Sequence, residues 1–223
     1  MDTKKLLAEL LGTFTLVLIG AGAAAITVNV VGVALAFGFT VLALIYSFGD
    51  ISGMHINPAV TVGLASAGKI DGTTAIGYIV AQLLGGVLGA LMLAIIIGFP
   101  EQAADLGNTV LANDPNGFEI SWVQGFLVEV ILTFLLVSTI FHTAFSGKEG
   151  KDGNMAPVAI GLMLSALIFV GGSLTGGSFN PARTIGPAIL SYDVYPWSQL
   201  WIYILAPITG GVLAAVVHKA LRD

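Results

Sequence analysis

The stretch GMHINPAVT, residues 53–61, and the stretch GGSFNPART, residues 176–184, carry the same tripeptide behind Gly and a hydrophobic residue, and each closes on Thr. Asn is a favoured helix N-cap, and Pro is favoured at the first helical position, where its missing N–H is not needed. Asn57-Pro58-Ala59 and Asn180-Pro181-Ala182 therefore each predict a helix start. The apolar runs they open, residues 58–67 and 181–190, are about ten residues long. Crossing a bilayer takes roughly 20. Each run is a half-helix.

The rest of the chain makes half-helices meaningful. It has 223 residues, of which 56% are hydrophobic and 9% charged. A water-soluble domain carries roughly 25% charged residues. This chain cannot cover a water-facing surface, so its partner is the lipid bilayer. Its 29 Gly suit close helix packing in membranes. The absence of Cys excludes disulfides, thiol catalysis and thiolate metal sites. The net charge of −5 is scattered, and nothing points to nucleic acid. The N-terminal apolar run is about 20 residues long and lacks a cleavage site, so it reads as a spanning helix rather than a signal peptide.

The pattern predicts an all-α membrane protein with six spans, at residues 5–28, 31–49, 73–98, 121–145, 155–172 and 198–220, plus the two half-helices. Loops are expected at 99–120 and 146–154. Seven of the eight basic residues, Lys4, Lys5, Lys69, Lys148, Lys151, Lys219 and Arg222, fall on one side of such a layout. By the positive-inside rule that side is cytoplasmic, which places both termini inside and the acidic 99–120 loop outside. Arg183 is the exception. The polar backbone at residues 52–55 and 173–178 is tolerable only if it is buried in protein or lines a wet cavity, so the half-helices are re-entrant.

The two halves repeat. Glu9-Leu-Leu-Gly-Thr-Phe14 matches Glu129-Val-Ile-Leu-Thr-Phe134, Asn57 matches Asn180, and Ala81-Gln-Leu-Leu-Gly-Gly86 matches Ala206-Pro-Ile-Thr-Gly-Gly211. We expect a single domain, 1–223, with halves at about 1–110 and 115–223. Three spans per half turn the second upside down, an inverted repeat with discontinuous helices near the midplane.

Half-helices meeting N-terminus to N-terminus bring their positive dipole ends together. The amide oxygens of Asn57 and Asn180 can cap backbone N–H groups while their NH₂ groups face a pore. A water accepting from both would hold its hydrogens outward, leaving no acceptor at the centre to relay a proton. The same field repels cations. Arg183, one turn into its half-helix, either lines a cavity or snorkels to the outer interface. Glu9 and Glu129 are either proton- or sodium-coupling groups or acceptors for buried loop backbone. His55, beside Asn57, lines the pore mouth or bonds to the loop; as a histidine it is also a candidate pH-sensitive element. His142 and His218 carry no signal, and Asp50 has no assigned role.

With its paired Asn-Pro-Ala boxes, Ile-Ser-Gly-x-His-Ile-Asn-Pro-Ala-Val, Asn-Pro-Ala-Arg, and Glu-x-x-x-Thr-Phe in spans one and four, the chain resembles the aquaporins of the major intrinsic protein family, most closely the archaeal ones. The resemblance implies an aquaporin-like fold, a homotetramer in the cell membrane with one pore per subunit, and no cofactor or metal. It implies that Arg183 is the cation filter, with Phe37, Ile168 and Gly177 completing the constriction. It also implies that Glu9 and Glu129 tie down the re-entrant loops. Ile168 departs from strict water channels, which carry His there. Glycerol facilitators tend to have Trp, Asp and Lys or Arg where this chain has Phe37, Thr184 and Ala188.

The expected function is a passive channel for water that passes glycerol or other small neutral solutes weakly and excludes ions and protons. Competing readings are a facilitator mainly for glycerol or gas, and an ion-coupled transporter using Glu9 and Glu129. An ion channel would want acidic rings, which Arg183 opposes. No nucleophile–base pair or metal cluster suggests an enzyme.

Overall fold

The computed structural model describes residues 2–27, 29–98, 105–114, 117–145, 155–191 and 194–222. Lys148 and Lys151, and the acidic Glu101, lie outside the described residues.

The expected architecture is present. Among the described residues six helical spans are long and apolar enough to cross a membrane, and none of these residues belongs to a β-strand. The first span is α1 (Thr3–Leu16) continued through a π turn (Val17–Ala21) into α2 (Gly22–Ile26). The other five are α3 (Val30–Ser52), α5 (Gly72–Ile97), α6 (Trp122–Ala144), α7 (Ala156–Thr175) and α9 (Leu200–Arg222), the last preceded by a 3₁₀ turn at Trp197–Gln199. The half-helices are α4 (Pro58–Ser66) and α8 (Pro181–Leu190).

Local chemistry sets the boundaries. The joint between the first two spans has no charge to mark it, yet Asn29 ends the ambiguity. Its side chain accepts from the N–H groups of Val31 and Gly32 and caps α3. Asp71 caps α5 by accepting from Thr74 N at 3.0 Å. Ser121 and Gln124 form a capping box at α6. Two expected ends are corrected. The spans expected to stop at residues 49 and 172 run on to Ser52 and Thr175. Each stops at a left-handed glycine, Gly53 or Gly176, whose N–H closes the last turn onto Gly49 O or Gly172 O. Polarity falls in before the helix ends, but it is the left-handed cap that stops it.

Packing is glycine-mediated. A Cβ on Gly38 of α3 would sit 2.5 Å from Gly161 O of α7, and one on Gly161 would sit 2.6 Å from Gly38 O. The two backbones approach because each helix has a glycine at the crossing, and Ser165 Oγ fills the remaining space and donates to Ala34 O at 2.9 Å. The same device seats the half-helices. A Cβ on Gly211 would meet Ala59 O of α4 at 2.5 Å, and one on Gly86 would meet Ala182 O of α8 at 2.5 Å. The outward faces carry exposed apolar side chains such as Ile76, Val123 and Val216, as lipid contact requires.

Candidate functional site

The half-helices α4 and α8 are joined at their capping residues. Asn57 Oδ1 accepts from Ala59 N at 2.8 Å, and Asn180 Oδ1 accepts from Ala182 N at 3.0 Å. Each amide then crosses to the opposite loop. Asn57 Nδ2 donates to Phe179 O and Asn180 Nδ2 to Ile56 O, both at 2.8 Å. An amide nitrogen has two hydrogens, so one on each Asn remains uncommitted by these bonds. Sequence reasoning foresaw the caps and missed the reciprocal link, which joins loops some 122 residues apart.

The loops before each Asn share an unusual backbone. Gly53, Met54 and Ile56 have positive φ in one, and Gly176, Gly177 and Phe179 in the other. For branched Ile56 and bulky Phe179 this is strained. Buried carboxylates hold the strain in place. Glu9 accepts from Ser52 Oγ (2.7 Å), His55 N (2.9 Å), Ile56 N (2.7 Å) and Gln82 Nε2 (2.8 Å). Glu129 accepts from Thr175 Oγ1 (2.6 Å), Ser178 N (3.0 Å) and Phe179 N (2.8 Å). Neither carboxylate borders the cavity described below.

Sequence reasoning missed three supporting residues. The Tyr78 and Tyr203 hydroxyls donate to Ser52 O (2.8 Å) and Thr175 O (3.0 Å), the last carbonyls of α3 and α7. Gln82 bridges Glu9 to Thr61 Oγ1. The available signal was polar residues inside Gly-rich apolar helices, where each needs a partner.

A cavity of about 640 Å³ runs past this junction. Its wall includes Phe37 and Asp50, both on α3 and roughly 20 Å apart along that helix. Asn57, Asn180, Phe37, Ile168, Gly177, Arg183 and His55 all border it, so the expected site residues come together on one surface. Pro58, Ala59, Pro181 and Ala182 form the first turns of the half-helices, buried behind the caps. His55 Nδ1 bonds with Thr61 Oγ1 at 3.1 Å, and its ring meets Tyr78 edge-on. Asp50, exposed, stands at the end of the cavity that also holds Tyr46 and Phe145.

Arg183 does not snorkel. It is 1% exposed, its Nη1 donates to Gly107 O, and its guanidinium carbon lies 5.2 Å from the centre of the Phe37 ring. Its Nε is buried without a partner among the described residues. Gly20, in the π turn, makes room for Phe37: a Cβ there would overlap that ring. Ile168, 2% exposed, adds an apolar patch to the same wall.

Six apolar spans enclosing a cavity that two opposed half-helices line with amide groups define a multi-pass membrane protein built around an internal passage. The family model described as "MIP: Major intrinsic protein" matches residues 1–218, and the chain belongs to that family. It is 40% identical over 220 residues to "Glycerol uptake facilitator protein-like 6" of Lactiplantibacillus plantarum, covering 98% of each. It is 39% identical over 248 aligned residues to "Aquaporin AqpM" of Methanothermobacter marburgensis, covering 99% of this chain and 98% of that one. Bacterial and archaeal relatives thus stand equally near. The X-ray structure of the aquaglyceroporin from Plasmodium falciparum superposes with a TM-score of 0.81 at 26% identity, covering 99% and 97% of the two chains.

Proposed function

We propose that the protein is a passive channel for water that passes glycerol or other small neutral solutes weakly and excludes ions and protons. One observation carries this reading: two buried amides, Asn57 and Asn180, border one cavity at the N-termini of opposed half-helices, each with an N–H to spare. A water there meets donors only, so it cannot pass a proton on through this point, and the helix dipoles repel cations.

Phe37, Ile168, Gly177 and Arg183 form the constriction, with Arg183 as a fixed charge against cations and a donor to water. Glu9 and Glu129 act as loop supports. Their oxygens are engaged by loop donors and stand off the cavity, which argues against coupled transport. The reading contains no catalytic step and needs no cofactor. The chain works in the cell membrane with both termini cytoplasmic, as a homotetramer with one pore per subunit. Its halves, about 1–110 and 115–223, are inverted copies, a reading that the paired Glu, Tyr, Asn and Gly contacts support.

A second reading, a facilitator mainly for glycerol or gas, draws on Ile168, which offers a solute no polar contact. Stopped-flow measurement on proteoliposomes, with and without an ion gradient, tests both. Fast water flux independent of the gradient, with slow glycerol flux, is expected. Glycerol flux matching water flux would favour the second reading, and gradient-dependent flux would overturn both.

A further inference from the structure

Behind the cavity wall runs a chain of hydroxyl groups. Thr109 Oγ1 lies 2.7 Å from Thr184 Oγ1, which lies 2.7 Å from Ser178 Oγ. Ser178 Oγ donates to the Asn180 carbonyl at 3.1 Å and accepts from the Asn180 N–H at 3.3 Å. Thr109 and Thr184 are fully buried, and neither borders the cavity. The Tyr195 hydroxyl, also buried, sits beside Thr109.

A hydroxyl has one proton to give, which fixes the direction of the chain. Ser178 commits its proton to the Asn180 carbonyl, so Thr184 donates to Ser178 and Thr109 donates to Thr184. The neighbouring Tyr195 phenol, which burial keeps protonated, makes no hydrogen bond among the described residues. The chain ties together the segment holding Thr109, the loop before α8 and α8 itself. Gly107, two residues before Thr109, supplies the carbonyl that receives the Arg183 guanidinium.

We infer that Thr109 and Thr184 are positioning residues that set solute specificity: their shared hydrogen bond holds the Gly107 carbonyl at one distance from α8, and so holds Arg183 at one depth over Phe37. Neither touches solute. The inference rests on Arg183 being part of the constriction. Valine has nearly the volume of threonine without its hydroxyl, so it breaks the chain with little change in packing, whereas serine keeps it.

The test uses full-length protein in proteoliposomes and reads the ratio of glycerol to water permeability. Thr184→Val should raise the ratio about fivefold, the scale that loss of one buried hydrogen bond permits. Thr184→Ser should leave it unchanged. Thr109→Val should match Thr184→Val, and the double variant should be no worse than either, because one break already interrupts the chain. If Thr184→Val fails to fold by size exclusion, Thr109→Val gives the same readout. An unchanged ratio in the valine variants, a serine variant as permissive as valine, or additive effects would overturn the inference. Arg183→Ala serves as reference. If it leaves the ratio unchanged, the assignment of Arg183 to the constriction fails; if it raises the ratio and the valine variants do not, the positioning role alone fails.

Discussion

Ile168 gives the proposed constriction its sharpest single-residue test. It faces the cavity that Arg183 and Phe37 also border, and it brings volume without a hydrogen-bond partner. Replacing it by His adds a ring and a polar contact together. Ile168→His should cut glycerol flux by roughly tenfold while water flux changes by less than about threefold, because water regains a contact that a larger solute is too wide to use. Equal losses of both, measured by light scattering, would show that this position does not set the size limit. Asn180 offers a different check. Asn180→Ala removes an N-cap and a cross-loop bond together, at a cost of about 2 kcal/mol in stability. A lowered thermal midpoint together with reduced water flux is expected. The Asn180 cap was legible from its neighbours alone, whereas a place for Arg183 at the constriction came only from the family resemblance. Tyr78 and Gln82 were not legible, because their partners, Ser52, Glu9 and Thr61, lie on other helices far along the chain.

At the level of the element, the half-helices were readable to within a residue, since Asn-Pro is a start signal that needs no tertiary context. The loops before them were not. Positive φ at Met54, Ile56 and Phe179 contradicts local preference and persists only because Glu9 and Glu129 take the freed N–H groups. Seating of the half-helices depends on glycine in the facing spans. Gly211→Val would drive a side chain into the Ala59 carbonyl, and little folded protein should survive size exclusion. Gly72→Ala meets nothing within 4 Å and should leave stability equal or raise it by up to about 1 kcal/mol. The α5 cap adds a pH dependence. The Thr74 hydroxyl and amide hold the Asp71 carboxyl below its ordinary range. Its support for the first turn is therefore complete above the ordinary carboxylate range and drains as pH falls through the depressed value. Reduced protection of the Thr74 amide, measured against its intrinsic exchange rate, is expected as pH falls below the ordinary carboxylate range, and Asp71→Ala should show that loss of protection already at neutral pH.

For the whole molecule, the proposed function sets two barriers in series, a charge at the constriction and a donor-only site at the junction. Water flux should therefore proceed without proton flux; an internal pH dye that responds in step with vesicle swelling would contradict this. The proposed homotetramer is checked by native mass measurement in mild detergent, which should find four copies. A fully active monomer would count against that. The span count was legible from hydropathy, because a bilayer imposes it on any sequence that crosses it.

The amide bonds that bind Asn57 to Phe179 O and Asn180 to Ile56 O also set a schedule for synthesis. A ribosome adding roughly 5–20 residues per second needs on the order of ten seconds to travel from one partner to the other. Throughout that interval the first half-helix exists without the residues that will lock it. The nascent protein must therefore keep its early re-entrant loop open, sheltered by the translocation machinery or still outside the lipid, until its counterpart emerges. Ribosome-arrested chains carrying Ala59→Cys should react with a water-soluble thiol reagent when they end before Phe179, and should become protected once α9 has been released, because Ala59 is buried and does not border the cavity.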